Sequence, residues 1–285
     1  MILHALLCAV AALIVIIAIY ITAVEPYWFG ITAIDVRSPR IPKEFDGKKM
    51  LFLSDIHTSK YGRLERTLAG CLKKAGSADI CVITGDLMFK EACADALKKV
   101  TDSIDSLEGI YYVSGNSEYK PYVDHREMAE AYKRIGLVSL DNGSLTFTAG
   151  GGAVRLVGLD NFEECNKADF QKAFSGDGQD LYTVCLCHTP SCIDDILPYR
   201  PDLVLSGHTH GGQVRLPLFD IVYTHMDKNN DINGGVYSPE KLSSVLGTDA
   251  GRTMLIVSRG IGTSAIRIRF RCRPEIHMLT FYHES

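Results

Sequence analysis

The sequence lacks any cysteine pair at the Cys-x-x-Cys spacing that structural zinc sites and redox motifs use, although it holds nine cysteines. Their number is odd and their spacing irregular, and Cys8 lies inside an apolar leader. The expected state is reduced thiols, most of them buried, in a reducing compartment. Excess positive charge is also missing. The formal net charge is -4, which leaves no broad basic field, so nucleic acid is not an expected partner. There is no Gly-rich nucleotide loop and no Gly-x-Ser-x-Gly elbow, which argues against acyl transfer. No internal repeat or low-complexity segment interrupts the chain. What is present, 46% hydrophobic and 22% charged residues over 285 positions, suits one large domain with a small appendage.

Positive charge is absent in one further place, ahead of the first apolar run. Residues 1–24 are almost uninterrupted Ile, Leu, Val and Ala, with His4, Tyr20 and Thr22 as polar exceptions, and the run is long enough to cross a bilayer. A cleaved secretory signal would carry Lys or Arg before the run and a small-x-small site after it, and Ile21-Thr22-Ala23 is a poor one. The expectation is therefore an uncleaved, single-pass anchor in the cell membrane, with Tyr27, Trp28 and Phe29 as an aromatic belt. Arg37, Arg40 and Lys43 follow the run and no cation precedes it, which by the positive-inside rule puts the rest of the chain in the cytoplasm. Glu25 lies nearer the run, so an extracytoplasmic domain stays open. Residues 25–49 read as a linker with a first strand, and residues 50–285 as the main domain.

From Met50 onward, short apolar runs alternate with helical stretches: 50–53 then 64–75, 80–83 then 92–104, 110–113 then 125–135. This is the βαβ rhythm of an open α/β sheet, in which the loops leaving the strand carboxyl ends collect the chemistry. Downstream, 144–148 and 154–157 read as a hairpin through Gly150-Gly151-Gly152, followed by a helix over 167–174. Strands are expected at 182–187, 202–205, 254–257 and 276–281, which is enough sheet for two packed layers. Residues 219–252 read as a long surface excursion.

The polar residues at these strand ends are Asp55, His57, Asp86, Asn116, His188, His208 and His210. All are oxygen or imidazole donors without a thiolate, a mix that suits Mn, Fe or Zn, and their number suits two divalent ions. Asp55-x-His57 and His208-x-His210 would each turn two ligands the same way on extended backbone. A carboxylate such as Asp86 can bridge two ions, and two ions about 3.5 to 4 Å apart can hold a hydroxide for attack on phosphorus. Taken singly these residues are as well explained as turn, cap or packing residues; their order along the chain carries the reading.

The pattern resembles the calcineurin-like metallophosphoesterase family, whose signatures run Asp-x-His, Gly-Asp, Gly-Asn-His-Asp/Glu, a lone His and Gly-His-x-His. Here they stand as Asp55-Ile56-His57, Gly85-Asp86, Gly115-Asn116-Ser117-Glu118, His188 and Gly207-His208-Thr209-His210. The likeness runs over about 50–282 and includes Ser258-Arg259-Gly260-Ile261-Gly262 and Arg273-Pro274-Glu275-Ile276, which are similar to a membrane-associated bacterial branch. It implies an αββα sandwich, two mixed β-sheets flanked by helices, behind one N-terminal transmembrane helix. It also implies one ion held by Asp55, His57, Asp86 and His210 and a second held by Asp86, Asn116, His188 and His208. Asp86, Asn116 and His208 are the implied catalytic residues.

Ser117 departs from the pattern, standing where the family usually has a histidine that assists the leaving group. A serine cannot donate a proton from an imidazolium, and such help is worth about 10²- to 10⁴-fold. The expected substrate is thus a phosphodiester or pyrophosphate, as in the family's UDP-diacylglucosamine pyrophosphatases, some of which also lack that histidine. The anchor points to a phosphorylated lipid, an envelope precursor or a related small molecule. The alternatives are a non-catalytic metal-binding scaffold at the membrane and a general phosphomonoesterase.

One basic run remains, Arg267-Ile268-Arg269-Phe270-Arg271-Cys272-Arg273. Read as a strand, it would put four guanidiniums on one face, either simply solvated or forming an anion strip in which Arg267, Arg269 and Arg271 meet substrate phosphates or acidic lipid headgroups near the anchor and help seat a phosphorylated lipid. His125, His225, His277 and His283 lack a partner pattern and read as surface or packing residues.

Overall fold

The computed structural model describes residues 1–161, 168–217, 226, 229, 231–264 and 266–284. In chain order the elements are α1 (Ile2–Ile19), β1 (Gly30–Ser38), β2 (Lys49–Leu53), α2 (Arg63–Ala75), β3 (Ile80–Thr84), α3 (Ala94–Thr101), β4 (Ile110–Val113), α4 (His125–Arg134) and β5 (Leu137–Ser139). They continue with β6 (Gly143–Ala149), β7 (Gly152–Gly158), α5 (Phe170–Phe174), β8 (Tyr182–Leu186), α6 (Ile193–Ile196), β9 (Leu203–Ser206), β10 (Gly235–Tyr237), α7 (Pro239–Leu246), β11 (Met254–Val257) and β12 (Glu275–His283).

Two six-stranded mixed sheets form, ordered β1-β12-β2-β3-β4-β5 and β10-β11-β9-β8-β7-β6. Strands β2 to β5 run parallel, as do β7, β8, β9 and β11. Period-two alternation decides which side chains go where. Met50 and Phe52 of β2 face the second sheet with Val82, and meet Leu186, Leu203, Leu205 and Ile256 there. Leu51, Leu53, Cys81 and Ile83 face outward under the helices α2, α3 and α4. Val204, Cys185 and Val257 point the other way, under α5 to α7. The result is the expected four-layer αββα sandwich. Its helices follow from local sequence: α2 buries Leu68, Ala69 and Leu72 on one stripe, and α4 starts on Asp124, whose carboxylate accepts from Arg126 N and Glu127 N.

Two sequence expectations change here. The second half of 219–252 is not a surface excursion. Tyr237 of β10 and Leu242 of α7 are buried against the second sheet, and Ser238-Pro239 starts α7 as N-cap and first helical residue. His225, Lys167 and Cys165 lie outside the described residues, as do 218–225. The basic run 267–273 is not a strand: it holds one isolated bridge, Val214 to Phe270, and the Arg269 N–H goes to Ile21 O instead of to a neighbouring strand. The first strand expected within 25–49 is β1, which pairs in parallel with β12 from Gly30 to Ser38 at an edge of the first sheet.

None of the eight described cysteines forms a disulfide, and Cys81, Cys185, Cys187, Cys192 and Cys272 are buried. Ahead of the sandwich, Ile2–Tyr27 is the one stretch among the described residues long and apolar enough to cross a membrane, with mean hydropathy 3.0. No residue of α1 is buried by the rest of the chain.

Candidate metal centre

Five parallel strands, β2, β3 and β4 of one sheet and β8 and β9 of the other, end on the same side, and each continues into a short polar loop. The ladder runs on past the strands, with Asp55 N donating to Gly85 O (3.1 Å), His57 N to Asp86 O (2.9 Å) and Gly207 N to His188 O (2.8 Å). The loops therefore arrive in fixed register. Across the gap between sheets, His208 N donates to Asp55 Oδ2 at 3.0 Å.

The backbone at the centre is unusual. Asp55, His57, Asp86, His208 and His210 all have positive φ, between 48° and 65°, where non-glycine residues are uncommon and cost about 1 to 3 kcal/mol each. The two-residue spacing thus works through paired left-handed residues, not through the extended backbone expected from the sequence. Glycine is needed beside them because of close approach. A side chain at Gly115 would meet the Asp86 carboxylate, and one at Gly207 would meet Ser54 Oγ and Asp55 Oδ2.

All seven residues singled out from the sequence come together. Asp55, His57 and His210 bring ligand atoms within 4.8 Å of one another, as do Asp55, Asp86 and His188. His57 Nε2 lies 3.2 Å from His210 Nε2, and His210 Nε2 lies 3.7 Å from Asp55 Oδ1. Asp86 stands between the two groups, with Oδ2 3.4 Å from His57 Nε2 and Oδ1 3.5 Å from His188 Nε2. On the far side, His208 Nδ1 is 3.0 Å from His188 Nε2, and the Asn116 side-chain oxygen is 2.9 Å from His188 Nε2 and 3.1 Å from His208 Nδ1. Asn116 is half-buried and the other six are buried.

This donor set fits divalent cations. The Thr84 carbonyl, 2.7 Å from His188 Nδ1, can only accept, so that nitrogen carries the proton and Nε2 presents a lone pair to the centre. The Asn116 amide faces two imidazoles and a carboxylate: with its NH2 turned inward it donates to His188, His208 and Asp86 while its oxygen accepts from Lys120 Nζ, and with its oxygen turned inward it becomes a further ligand for a cation. Burial opposes ionisation of Asp86, but His188, His57 and the Ser117 N–H outweigh it and hold the carboxyl down to about 2. Burial likewise opposes charge on His188, and Asp86 and Asp55 raise its pKa in spite of it. His210 is pushed well below the usual imidazole range by burial and by His57.

Glu118 closes the Gly115-Asn116-Ser117-Glu118 motif, and its role becomes visible only in the fold. Buried, and pushed up to about 7 by burial and by Asp86, it accepts from Asp86 N, Leu87 N, Gly115 N and Tyr132 OH. It ties the β3 and β4 loops into one unit, with Tyr132 as a partner that no motif marks. The Ser117 N–H donates to Asp86 Oδ1 at 2.7 Å, so this position orients the central carboxylate whatever its side chain. Ser54 Oγ does the same for Asp55 Oδ2 at 2.6 Å.

The three arginines separate. Arg269 is fully buried and donates to the carbonyls of Arg259, Gly260, Gly262 and Cys272, so it presents nothing to a substrate. It clamps the 259–262 segment, whose Ile261 and Gly262 N–H groups donate to Ser54 O and Asp55 O. Arg271 is exposed with φ 52°, and Arg267 lines a cavity of about 410 Å³ that reaches His57.

Residues 48–212 match the family model described as calcineurin-like phosphoesterase, which covers every one of the seven positions. The chain belongs to this family. The phosphoesterase is 28% identical over 92% of its length to an uncharacterized metallophosphoesterase, YkuE, of Bacillus subtilis (strain 168), of which it covers 88%. It is 26% identical over 98% of its length to the UDP-2,3-diacylglucosamine pyrophosphatase LpxG of Chlamydia muridarum, covering 97% of that protein. It is also 26% identical to the phosphodiesterase YaeI of Escherichia coli (strain K12), with 91% of each chain covered. The phosphoesterase is accordingly a metal-dependent phosphoester hydrolase with Asp and His clusters suited to metal.

Proposed function

We propose that this phosphoesterase hydrolyses a phosphodiester or pyrophosphate in a membrane lipid or envelope precursor, with two divalent ions shared between its two ligand groups. The observation that carries the reading is the split carboxylate of Asp86, one oxygen toward His57 and the other toward His188. Asp55, His57 and His210 would complete the holder on one side, and Asn116, His188 and His208 on the other. Bound divalent ions supply Lewis acidity, polarising phosphoryl oxygens and making water a nucleophile at neutral pH.

The chain's own residues then fix orientation. Thr84 O sets the His188 tautomer, Ser117 N and Glu118 hold the Asp86 loop, and Ser54 and His208 N hold Asp55. Ser117 offers no imidazolium to the departing oxygen, so the leaving group must depart as a stable anion. A phosphate or an activated alcohol does so, which favours a pyrophosphate, or a diester with such a leaving group, over alkyl esters. The similarity to a UDP-2,3-diacylglucosamine pyrophosphatase over nearly the full length of both chains supports the same choice. Ile2–Tyr27 would be the anchor, with the sandwich on the cytoplasmic side.

The test uses the full-length protein in detergent with Mn²⁺ and bis-p-nitrophenyl phosphate. Turnover is expected, with a loss of 10³-fold or more in Asp86→Ala together with loss of bound metal by elemental analysis. Turnover no higher than that of Asp86→Ala would instead make the chain a metal-binding scaffold.

A further inference from the structure

A cavity of about 410 Å³ opens between the end of the apolar N-terminal helix and the metal centre. Pro26 and Tyr27, the last residues of the apolar stretch, line it together with His57 of the metal centre. Lys60, Arg63, Arg66 and Arg267, all exposed, line it as well, with Phe89, Gly262 and Thr263. The one acid in the lining, Glu65, is buried and accepts from Gly62 N at 2.8 Å, so its charge is spent on the start of α2. Four cations thus face a cavity with no exposed acid among its lining residues.

The cavity and the apolar helix are one construction. The Arg63 guanidinium stacks over the Tyr27 ring at 4.1 Å, Arg269 N donates to Ile21 O at 3.0 Å, and Cys272 N donates to Glu25 Oε1. The helix therefore leaves the sandwich in a fixed direction beside the cavity mouth. Metal-centre geometry does not require such a row of cations, and clustered guanidiniums and ammoniums recognise phosphate.

We infer that this cavity seats a phosphate group of a lipid whose chains stay in the bilayer, while a second phosphoryl group of the same molecule reaches the metal centre. The inference rests on the anchored-hydrolase reading for its membrane and its substrate class. It goes further in naming the recognition site: Lys60, Arg66 and Arg267 hold the phosphate, and Arg63, stacked on Tyr27, sets the wall. The same chemistry would accept a free phosphate, but the cavity opens beside residues of the apolar stretch, which favours the lipid.

Binding is measured without turnover, on full-length protein in dodecyl maltoside with EDTA, by the fluorescence of Trp28, the only tryptophan in the sequence. Trp28 follows Tyr27, and its ring carries the Arg273 guanidinium at 3.4 Å. Dihexanoyl phosphatidic acid is expected to bind at least ten-fold more tightly than inorganic phosphate or dihexanoyl phosphatidylcholine. Arg66→Glu and Arg267→Glu should each weaken it about ten-fold, the usual loss for a charge-assisted contact. Lys133→Glu, on the exposed face of α4, should not change it. Equal affinity for free phosphate and phosphatidic acid, or unchanged affinity in both reversal variants, would overturn the inference. Lipid binding that persists in a protein without turnover would count against the hydrolase reading and for the cavity. Turnover of bis-p-nitrophenyl phosphate without selective lipid binding would count the other way.

Discussion

The backbone N–H of His208 donates to both carboxylate oxygens of Asp55, at 3.0 and 3.2 Å, and this contact joins the two sheets at the metal centre. Asp55 follows β2 of the first sheet and His208 follows β9 of the second, so the site depends on how the sheets pack. A disturbance at the seam reaches both ligand groups.

Gly207→Ala tests that seam. A methyl there runs into Ser54 Oγ and Asp55 Oδ2, so the sheets must separate or the β9 loop must shift. The expected cost is about 2 to 4 kcal/mol in stability, with weaker metal binding. Thermal melts and metal titration of the full-length protein check both, and an unchanged melting temperature would refute the contact.

Ser117→His tests the leaving-group argument. The substitution should raise the hydrolysis of phenyl phosphate, whose leaving group is basic, by about ten-fold or more, and that of p-nitrophenyl phosphate by far less. Equal gains on the two esters would show that position 117 acts through something other than proton donation.

Arg269→Met removes a buried cation that serves four backbone carbonyls while keeping most of its volume. The expected loss is about 3 kcal/mol or more, because the buried carbonyls of Arg259 and Gly262 lose the guanidinium, while Gly260 O keeps the Glu275 N–H. Chemical denaturation measures it. A near-neutral result would mean that the 259–262 segment holds itself.

Asp141 gives a pH signature away from the metal ligands. Burial and the neighbouring Asp160 carboxylate push it up to about 6, above its ordinary value near 3.9. Between these values the folded protein keeps a proton that the unfolded chain has released, so its contribution to stability is present below about pH 4 and is lost as pH rises to 6. Asp141→Asn should flatten the dependence of melting temperature on pH across that window. An identical slope in the variant would assign it to other groups.

The ligand-bearing strands were legible because each is an apolar run closed by a polar pair, and the flanking helices because their apolar stripes have helical period. The left-handed backbone at Asp55, His57, Asp86, His208 and His210 was not, since glycine is the usual marker of that conformation and these positions carry functional side chains. The run from Arg267 to Arg273 misled for a related reason. Its alternation of cations and apolar residues mimics a half-exposed strand, but Arg269 and Cys272 send their N–H groups to Ile21 and Glu25 near the other end of the chain. Contacts across more than two hundred residues leave no local signature. The same holds for Tyr132, a helical tyrosine distinguished only by the carboxylate it meets.

The bonds from Arg269 to Ile21 and from Cys272 to Glu25 also limit where the enzyme can work. On the anchored reading proposed above, a catalytic centre on a loose tether would sweep a volume of solvent, whereas one held against the end of a membrane helix would travel only as that helix diffuses in the plane. Its search for a lipid substrate would then be two-dimensional, and its rate would follow the density of that lipid in the membrane, not the concentration in the surrounding solution.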